Sequence, residues 1–422
     1  MQLSLNTEVG GVVYLENLTQ VYKMKKSIAL SCYKTGALTK KIITGSKLIH
    51  ALFSITLAIS ILPGTANAVP EIPTGLCMDD MICADTMQFS ASSPTTFNAP
   101  QNMDPNKFNP GYYYSVGQTK NSPEAAFSLL AGKSEFKGGK RVFSWKDLEP
   151  RKGVYDFSRI EQDLAYLQSI DKRLWIQVFY TQFNGKGLPQ IPSYMWNDPS
   201  YGCGPEYYGT YKRETQAGGW IACYWNSNVR ERLSALYTAL GNRFNEEPFF
   251  EGISIDETAI DTYTARAQPG YDVDAIKETF QEKALAARSS FPDKIVIQQI
   301  NFAPYDLKEF AAWLASNNIG IGGPDVYLSN PFLLGTTYPQ YIKYHNDVPT
   351  GIDVQWRNYT KINSNLGRAN TPEEILLGAI EKTNPWYIFW LNRSPYFVDG
   401  VLPAIKKHGL PPAAKRFYDA AY

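Results

Sequence analysis

The sequence predicts an α/β protein, a (β/α)8 TIM barrel with an irregular N-terminal extension. Three observations carry that expectation. Short β-branched runs alternate with amphipathic helical segments along most of the chain, the pattern of a parallel sheet covered by helices. Eight such strand–helix units fit between residue 111 and the C-terminus. The fourth run, Phe250 to Ile255, stops abruptly at two adjacent carboxylates, Asp256 and Glu257. Buried carboxylates are costly unless paired or used, and strand C-termini carry the chemistry of parallel barrels. A doubly wound open sheet uses the same units, but no Gly-x-Gly-x-x-Gly supports a nucleotide site.

The chain begins with a segment that reads as processing signal. Met24, Lys25 and Lys26 open a basic stretch that reaches Lys47; residues 48–62 are apolar, and Pro63, Gly64 and the triplet Ala66, Asn67, Ala68 follow. That order matches the charged region, apolar region and small-residue cleavage site of a secretory signal. Residues 1–23 read as an upstream extension, and cleavage after Ala68 leaves 422 − 68 = 354 residues. A retained anchor is the alternative, although the apolar run is short for a spanning helix. The triplet Leu30, Ser31, Cys32 is only a faint lipobox. The expected destination is export, to a periplasm or the extracellular space, with no stable membrane insertion after cleavage.

Residues 69–110 are rich in Pro, Ser, Thr, Asn and Met without periodicity, and read as an irregular extension before a barrel at 111–422. Four cysteines fall in the mature chain. An even count in an exported protein favours disulfides, and proximity pairs Cys77 with Cys83 and Cys203 with Cys223. The mature chain has only His345 and His408 and no Cys-x-x-Cys, so neither a metal site nor a cofactor is expected. A formal net charge of +1 argues against nucleic acid or an anionic membrane as partner. Aromatic residues make up 14%, many of them in loop-like sequence, and flat amphipathic faces suit stacking on sugar rings.

The units follow in order. Residues 111–118 are the first strand; Ser122 caps the next helix, with Pro123 at its first position. Residues 140–145 are the second strand, with Ile160, Leu164, Leu167 and Ile170 at helical spacing after it. Residues 173–180 are the third, and a Gly/Trp/Tyr/Pro-rich excursion runs from 181 to 227, a length usually reserved for function. Val229, Leu233, Leu236, Leu240 and Phe244 stripe the helix that feeds strand four. Strict alternation puts Ile253, Ile255 and Glu257 on one face; a surface Asp-Glu pair opening a loop is the plainer reading. Residues 295–300, 319–326, 350–356 and 385–392 complete the strands. Ile276, Phe280 and Ala287, then Leu307, Phe310, Ala311 and Leu314, stripe the helices between strands four and six. Thr371 to Glu374 is a capping box, and residues 402–408 are a closing helix.

The tract holding Trp145, Leu148, Glu149, Pro150, Gly153, Tyr155, Asp156 and Phe157 resembles the second-strand signature of barrel glycoside hydrolases. It is most similar to family 42 and its β-galactosidase-type relatives in the large retaining clan. The likeness covers residues 140–178, and the stretch from Gly187 to Trp196 resembles the Pro/Trp loop that follows strand three. The resemblance implies an acid/base carboxylate on strand four and a nucleophile on strand seven. Glu257 matches the first. The clan has Asn before that Glu, where this chain has Asp256, whose charge would tend to raise a neighbouring carboxyl pKa. Strand seven offers Asp353 in place of the clan's Glu, on the same face as Gln355. Asp353 is therefore the provisional nucleophile, and Asp325 after strand six the other candidate. A retaining pair requires carboxyls about 5–5.5 Å apart, and a wider gap admits water for inversion.

The resemblance also matches Trp390 to a strand-eight tryptophan flooring the sugar site, and loosely matches Arg141 to a strand-two arginine orienting the nucleophile. Gln298 and Asn301 are candidate hydroxyl ligands. Trp145, Asp256, Gln355 and Trp356 complete the expected sugar contacts, with Trp196, Trp220 and Trp225 for outer subsites. Core packing is the plain alternative for each tryptophan. The functional expectation is an exported glycoside hydrolase acting on a polysaccharide or oligosaccharide through two carboxylates. A catalytically silent carbohydrate-binding barrel is the alternative, favoured by the missing strand-seven Glu. A serine esterase lacks a Gly-x-Ser-x-Gly and has little histidine to work with.

Overall fold

The computed structural model describes residues 107–183, 187–204, 206–213 and 218–421. The expected signal at 1–68, most of the 69–110 extension and the Cys77–Cys83 pair lie outside the described residues. Eight parallel strands close into a barrel in chain order: β1 Gly111–Ser115, β2 Phe136–Ser144, β3 Arg173–Phe179, β4 Phe250–Ile255, β5 Ile295–Gln299, β6 Gly320–Gly323, β7 Thr350–Val354 and β8 Tyr387–Leu391. Each expected strand is present. Only β2 begins well before its expected start, because Gly138 and Gly139 read as a turn in sequence.

Those glycines are there for the neighbours they admit. A Cβ on Gly138 would sit 2.5 Å from the Tyr113 ring and 2.1 Å from the Arg173 carbonyl oxygen. The space goes to an aromatic floor. Tyr113, Trp175, Tyr387 and Phe389 project inward and pack at ring separations of 4.8–6.3 Å, and Trp175 Nε1 donates to Ser254 Oγ at 2.9 Å. Below them Glu251 accepts from the Asn109 amide (2.5 Å) and Tyr387 Oη (2.8 Å), tying the end of the N-terminal extension to the barrel's base. The barrel is thus filled at one end and open at the C-terminal end of its strands.

The alternate residues of each strand face the helix layer. Ile253 and Ile255, Ile352 and Val354, and Ile388 and Trp390 belong to the core shared with the helices. The expected helices are present at Ser158–Ser169, Ser227–Phe244, Val273–Ser290, Leu307–Ser316, Pro372–Thr383 and Leu402–His408. Ser122 accepts from the Ala125 amide, and the Thr371/Glu374 capping box forms.

The excursion after β3 folds on itself. A hairpin pairs Thr210–Lys212 with Trp220–Ala222, Gln182 exchanges both backbone hydrogen bonds with Trp220, and Cys203 is bonded to Cys223. Trp196, Tyr207 and Trp220 stack edge to face within it. Among the described residues no helix is long and apolar enough to cross a membrane.

Candidate active site

The end of β4 sets the site. The strand stops at Ile255, so strict alternation does not carry on to Glu257. Asp256 and Glu257 instead both line a cleft of about 690 Å³ at the barrel mouth. Asp256 is buried, and its Oδ2 accepts from the Tyr180 and Thr181 amides just past β3 at 3.3 and 3.2 Å. Burial pushes its pKa up to about 6, against the pull of Lys283 and those amides. Glu257 is half-buried and accepts from Asn301 Nδ2. Its pKa is raised well above the usual carboxylate range, first by burial, then by the charges of Asp256 and Asp325; Asn301 and Arg213 oppose the rise. The surroundings of Glu257 thus favour its protonated form.

Across the barrel, Asp353 and Gln355 project from β7 into the same cleft. The buried Lys140 ammonium, from β2, donates to Asp353 Oδ1 and Oδ2 at 2.6 and 2.7 Å. Gln299, at the end of β5, donates from Nε2 to Oδ2 at 2.5 Å, and its Oε1 accepts in turn from Gln177 Nε2 on β3 at 3.1 Å. Burial raises the Asp353 pKa, with Lys140 and Gln299 opposing it. Burial likewise lowers the Lys140 pKa, with Asp353 opposing. The double contact favours the ionised pair.

Asp325 lies past β6, half-buried, with Asn358 Nδ2 donating to its Oδ1 at 3.2 Å. It lines a smaller pocket of about 210 Å³ alongside Asn301. Burial pushes its pKa up to about 7; hydrogen bonds from Tyr327 and Asn358 pull it down and the Asp353 charge pushes it up. The three candidate carboxylates therefore share one mouth, with Asp353 in the main cleft beside Glu257 and Asp325 at its edge.

Several expected ligands go elsewhere. Trp390 is buried on the outer face of β8, because Phe389 is the residue in register with Asp353. It packs under the helices and does not floor the cleft. Trp145 is also buried, its Nε1 donating to Glu149 Oε2 at 2.8 Å. Glu149 gathers the Gly153 amide, Tyr194 and Arg232, and Arg232 also reaches Tyr155. The second-strand signature is thus a buried knot that pins the β2 loop, with no group in the cleft. Arg141 points outward to Asp163, the Nη2 to Oδ1 distance being 2.9 Å; the β2 side chain that meets the strand-seven carboxylate is Lys140, one position earlier. Gln298 donates to the Asp256 carbonyl at 2.8 Å and supports the strand end from behind. Trp196 and Trp220 serve the loop's own packing, and Trp225 Nε1 is tied to the Pro269 carbonyl.

Trp356 is 46% exposed immediately after the cleft residue Gln355, and is the sequence-derived tryptophan left free to stack on a ligand. Sequence reading missed Lys140, Gln177, Gln299 and Lys283. The first three project inward and reach Asp353 directly or through one another, a placement available only once the start of each strand is fixed. Among the described residues no cluster of His, Cys, Asp or Glu could hold a metal ion.

No family model matches the chain, and no curated protein matches it. Solved structures do. The catalytic domain of a β-amylase from Paenibacillus polymyxa is similar at a TM-score of 0.50 and 9% identity, over 73% of this chain and 99% of that one. Endo-glycoceramidase II from Rhodococcus sp. gives 0.47 at 14% identity, over 73% and 78%. A psychrophilic glycoside hydrolase family 10 endo-β-1,4-xylanase gives 0.40 at 12%, over 67% and 86%. At this identity the likeness to the β-amylase domain shows a shared barrel fold alone.

Proposed function

We propose that the chain is an exported glycoside hydrolase that cleaves O-glycosidic bonds of a polysaccharide or oligosaccharide with Glu257 as general acid/base. The observation that supports it best is the contrast between two carboxylates facing one cleft. Glu257 has its proton held by burial and by two neighbouring carboxylates, whereas Asp353 is gripped by a buried ammonium. Environments that push two carboxyl groups apart in this way assign acid and base roles. Glu257 would protonate the departing glycosidic oxygen, and ionised Asp353 would attack the anomeric carbon or activate a water against it. Asn301 would hold Glu257 in line, and Trp356 would offer a face to a sugar ring.

A second assignment keeps Glu257 and replaces Asp353 by Asp325. It is favoured by the engagement of both Asp353 oxygens with Lys140 and Gln299, and by the direct effect of Asp325 on Glu257. The test is Glu257→Gln, which keeps size and hydrogen-bonding reach but removes the proton donor. General acid assistance is worth roughly 10²–10⁴-fold, so turnover of a natural glycan should fall by that order while binding persists. Aryl glycosides with activated leaving groups need less protonation and should lose less. Full activity in Glu257→Gln moves the catalytic centre elsewhere. Binding without cleavage by the wild type across a broad glycan panel supports the silent-barrel reading. Asp353→Asn and Asp325→Asn then decide the partner.

A further inference from the structure

Lys283 has no exposed surface. It sits on the inward stripe of the helix Val273–Ser290, among Ile276, Phe280, Ala284 and Ala287, where an apolar side chain of similar length would pack at far lower cost. Its ammonium lies 3.5 Å from the Phe280 ring centroid, 5.0 Å from that of Tyr180 and 5.3 Å from that of Tyr224. It donates to Tyr180 Oη at 2.6 Å. Tyr180 is also the residue whose amide reaches Asp256. Burial drives the Lys283 pKa well below its ordinary value, and the Asp256 charge opposes that shift. Asp256 stands where the resembling clan carries a neutral Asn. The buried cation and the unusual carboxylate thus belong to one arrangement, built on either side of the Tyr180 backbone.

We propose that Lys283 is a positioning residue for the acid/base: from behind β4 it holds Asp256 as a carboxylate, and that charge keeps the proton on Glu257. Its catalytic meaning rests on the glycosidase reading, but the charge coupling stands without it. Asp256 is faced by the Tyr180 and Thr181 amides past β3, by Tyr224 of the long loop, by Tyr237 of the helix Ser227–Phe244 and by Lys283. Glu257 is faced by Asn301 past β5, by Asp325 and Tyr327 past β6, and by Arg213 and Tyr224 of the long loop. The tyrosines are all raised by burial and stay neutral. The groups here whose titration is displaced toward neutral pH are Asp256 and Asp325, and that of Lys283 is displaced downward by burial.

The sign follows. Without the Lys283 charge, Asp256 takes up a proton in the working range, its repulsion of Glu257 disappears, and Glu257 loses its proton at lower pH. The experiment compares Lys283→Met, Asp256→Asn and the double variant in the full chain. Two readouts are used: the alkaline limb of kcat/KM on a glycoside with a poor leaving group, which depends on the general acid, and the carboxyl-carbon NMR titration of Glu257 in glutamate-labelled protein. The Glu257 signal is assigned by its loss in Glu257→Gln. Each single variant should lower the Glu257 midpoint by roughly one pH unit, about tenfold in proton affinity. The double variant should move it no further, because both changes remove the same charge. It should also melt above Lys283→Met alone. A folded Lys283→Met whose Glu257 midpoint is unmoved overturns the proposal, as does a double variant that shifts by the sum. If Lys283→Met does not fold, Asp256→Asn and the double variant decide: equal downward shifts support the coupling and an unmoved midpoint refutes it. A shifted midpoint in a protein that cleaves no glycan sinks the glycosidase reading and leaves the coupling standing.

Discussion

Replacing Lys140 by Met should unfold the balance at the centre of the barrel, and the size of the effect can be worked out. The ammonium is wholly buried and bonds both oxygens of Asp353, which is itself only 6% exposed. Met fills the same volume, so the loss is electrostatic. Removing one partner of a buried pair costs about 3–5 kcal/mol. An independent route gives the same figure. The stranded Asp353 can stay buried by taking up a proton, and forcing a carboxyl with an ordinary pKa near 3.9 to be neutral at about pH 7 costs ~4 kcal/mol. The second route also fixes the pH dependence. In the variant the folded pKa of Asp353 is raised further, so its contribution to stability is fully present below the unfolded pKa and is lost as pH rises through the folded one. The penalty should therefore be large at about pH 7 and shrink to under ~1 kcal/mol near pH 4. Urea denaturation of the wild type, Lys140→Met, Asp353→Asn and the double variant at both pH values measures it. The double variant, with neither charge, should recover most of the loss at neutral pH. A Lys140→Met penalty below about 1 kcal/mol at neutral pH, or one indifferent to pH, would refute the ionised-pair argument.

Two tryptophans should separate by assay. Trp356→Ala should weaken glycan binding by roughly two- to tenfold, a stacked ring being worth about 0.5–1.5 kcal/mol, and leave the melting temperature nearly unchanged. Trp390→Ala should cost about 3–5 kcal/mol of stability by emptying a core site; the reverse pattern, seen by titration calorimetry and thermal melts, would put the sugar against β8. Asp325, with its pKa pushed up to about 7, contributes stability that is fully present below the ordinary Asp range and is lost as pH rises through about 7. The stability of the wild type relative to Asp325→Asn should accordingly fall with rising pH across that window in urea titrations, and a flat difference would place the Asp325 carboxyl in water.

The barrel was legible because each strand is a short apolar run between turn signals and each helix announces its cap or stripe. Glu257 and Asp353 were legible because they interrupt such runs near their ends. What could not be read was which face of a strand points inward, since that depends on where pairing begins. Trp390 is expected to floor the sugar site and Arg141 to orient the nucleophile, and each is one residue out of phase with the inward row. The register of Phe389 with Asp353 sends Trp390 outward. The inward row Gly138, Lys140, Val142 sends Arg141 to Asp163. The signature around Trp145 reads in sequence as a family likeness with Trp145 as a sugar contact, but its residues serve the Glu149 knot. Lys283 left no trace in the sequence, because a lysine in a helical stripe looks like a solvated position until the helix is packed.

The two buried lysines explain why Glu257 is the carboxyl that keeps its proton. Asp353 and Asp256 both stand at strand ends in low-dielectric surroundings, where an unpaired charge is costly. Each is given a cation from a different direction: Lys140 across the barrel for one, Lys283 from the helix layer for the other. Among the described residues Glu257 has no such ion pair. A cation that acts on it is Arg213, whose guanidinium also lies over the Phe183 ring and 3.9 Å from Asp261. Keeping Asp256 ionised does more than stabilise that residue. Its charge, together with that of Asp325, raises the Glu257 pKa. Asn at position 256 would remove one of those charges and with it the need for Lys283. That a cation is buried there instead indicates that the second charge beside Glu257 is part of how this cleft holds its acid.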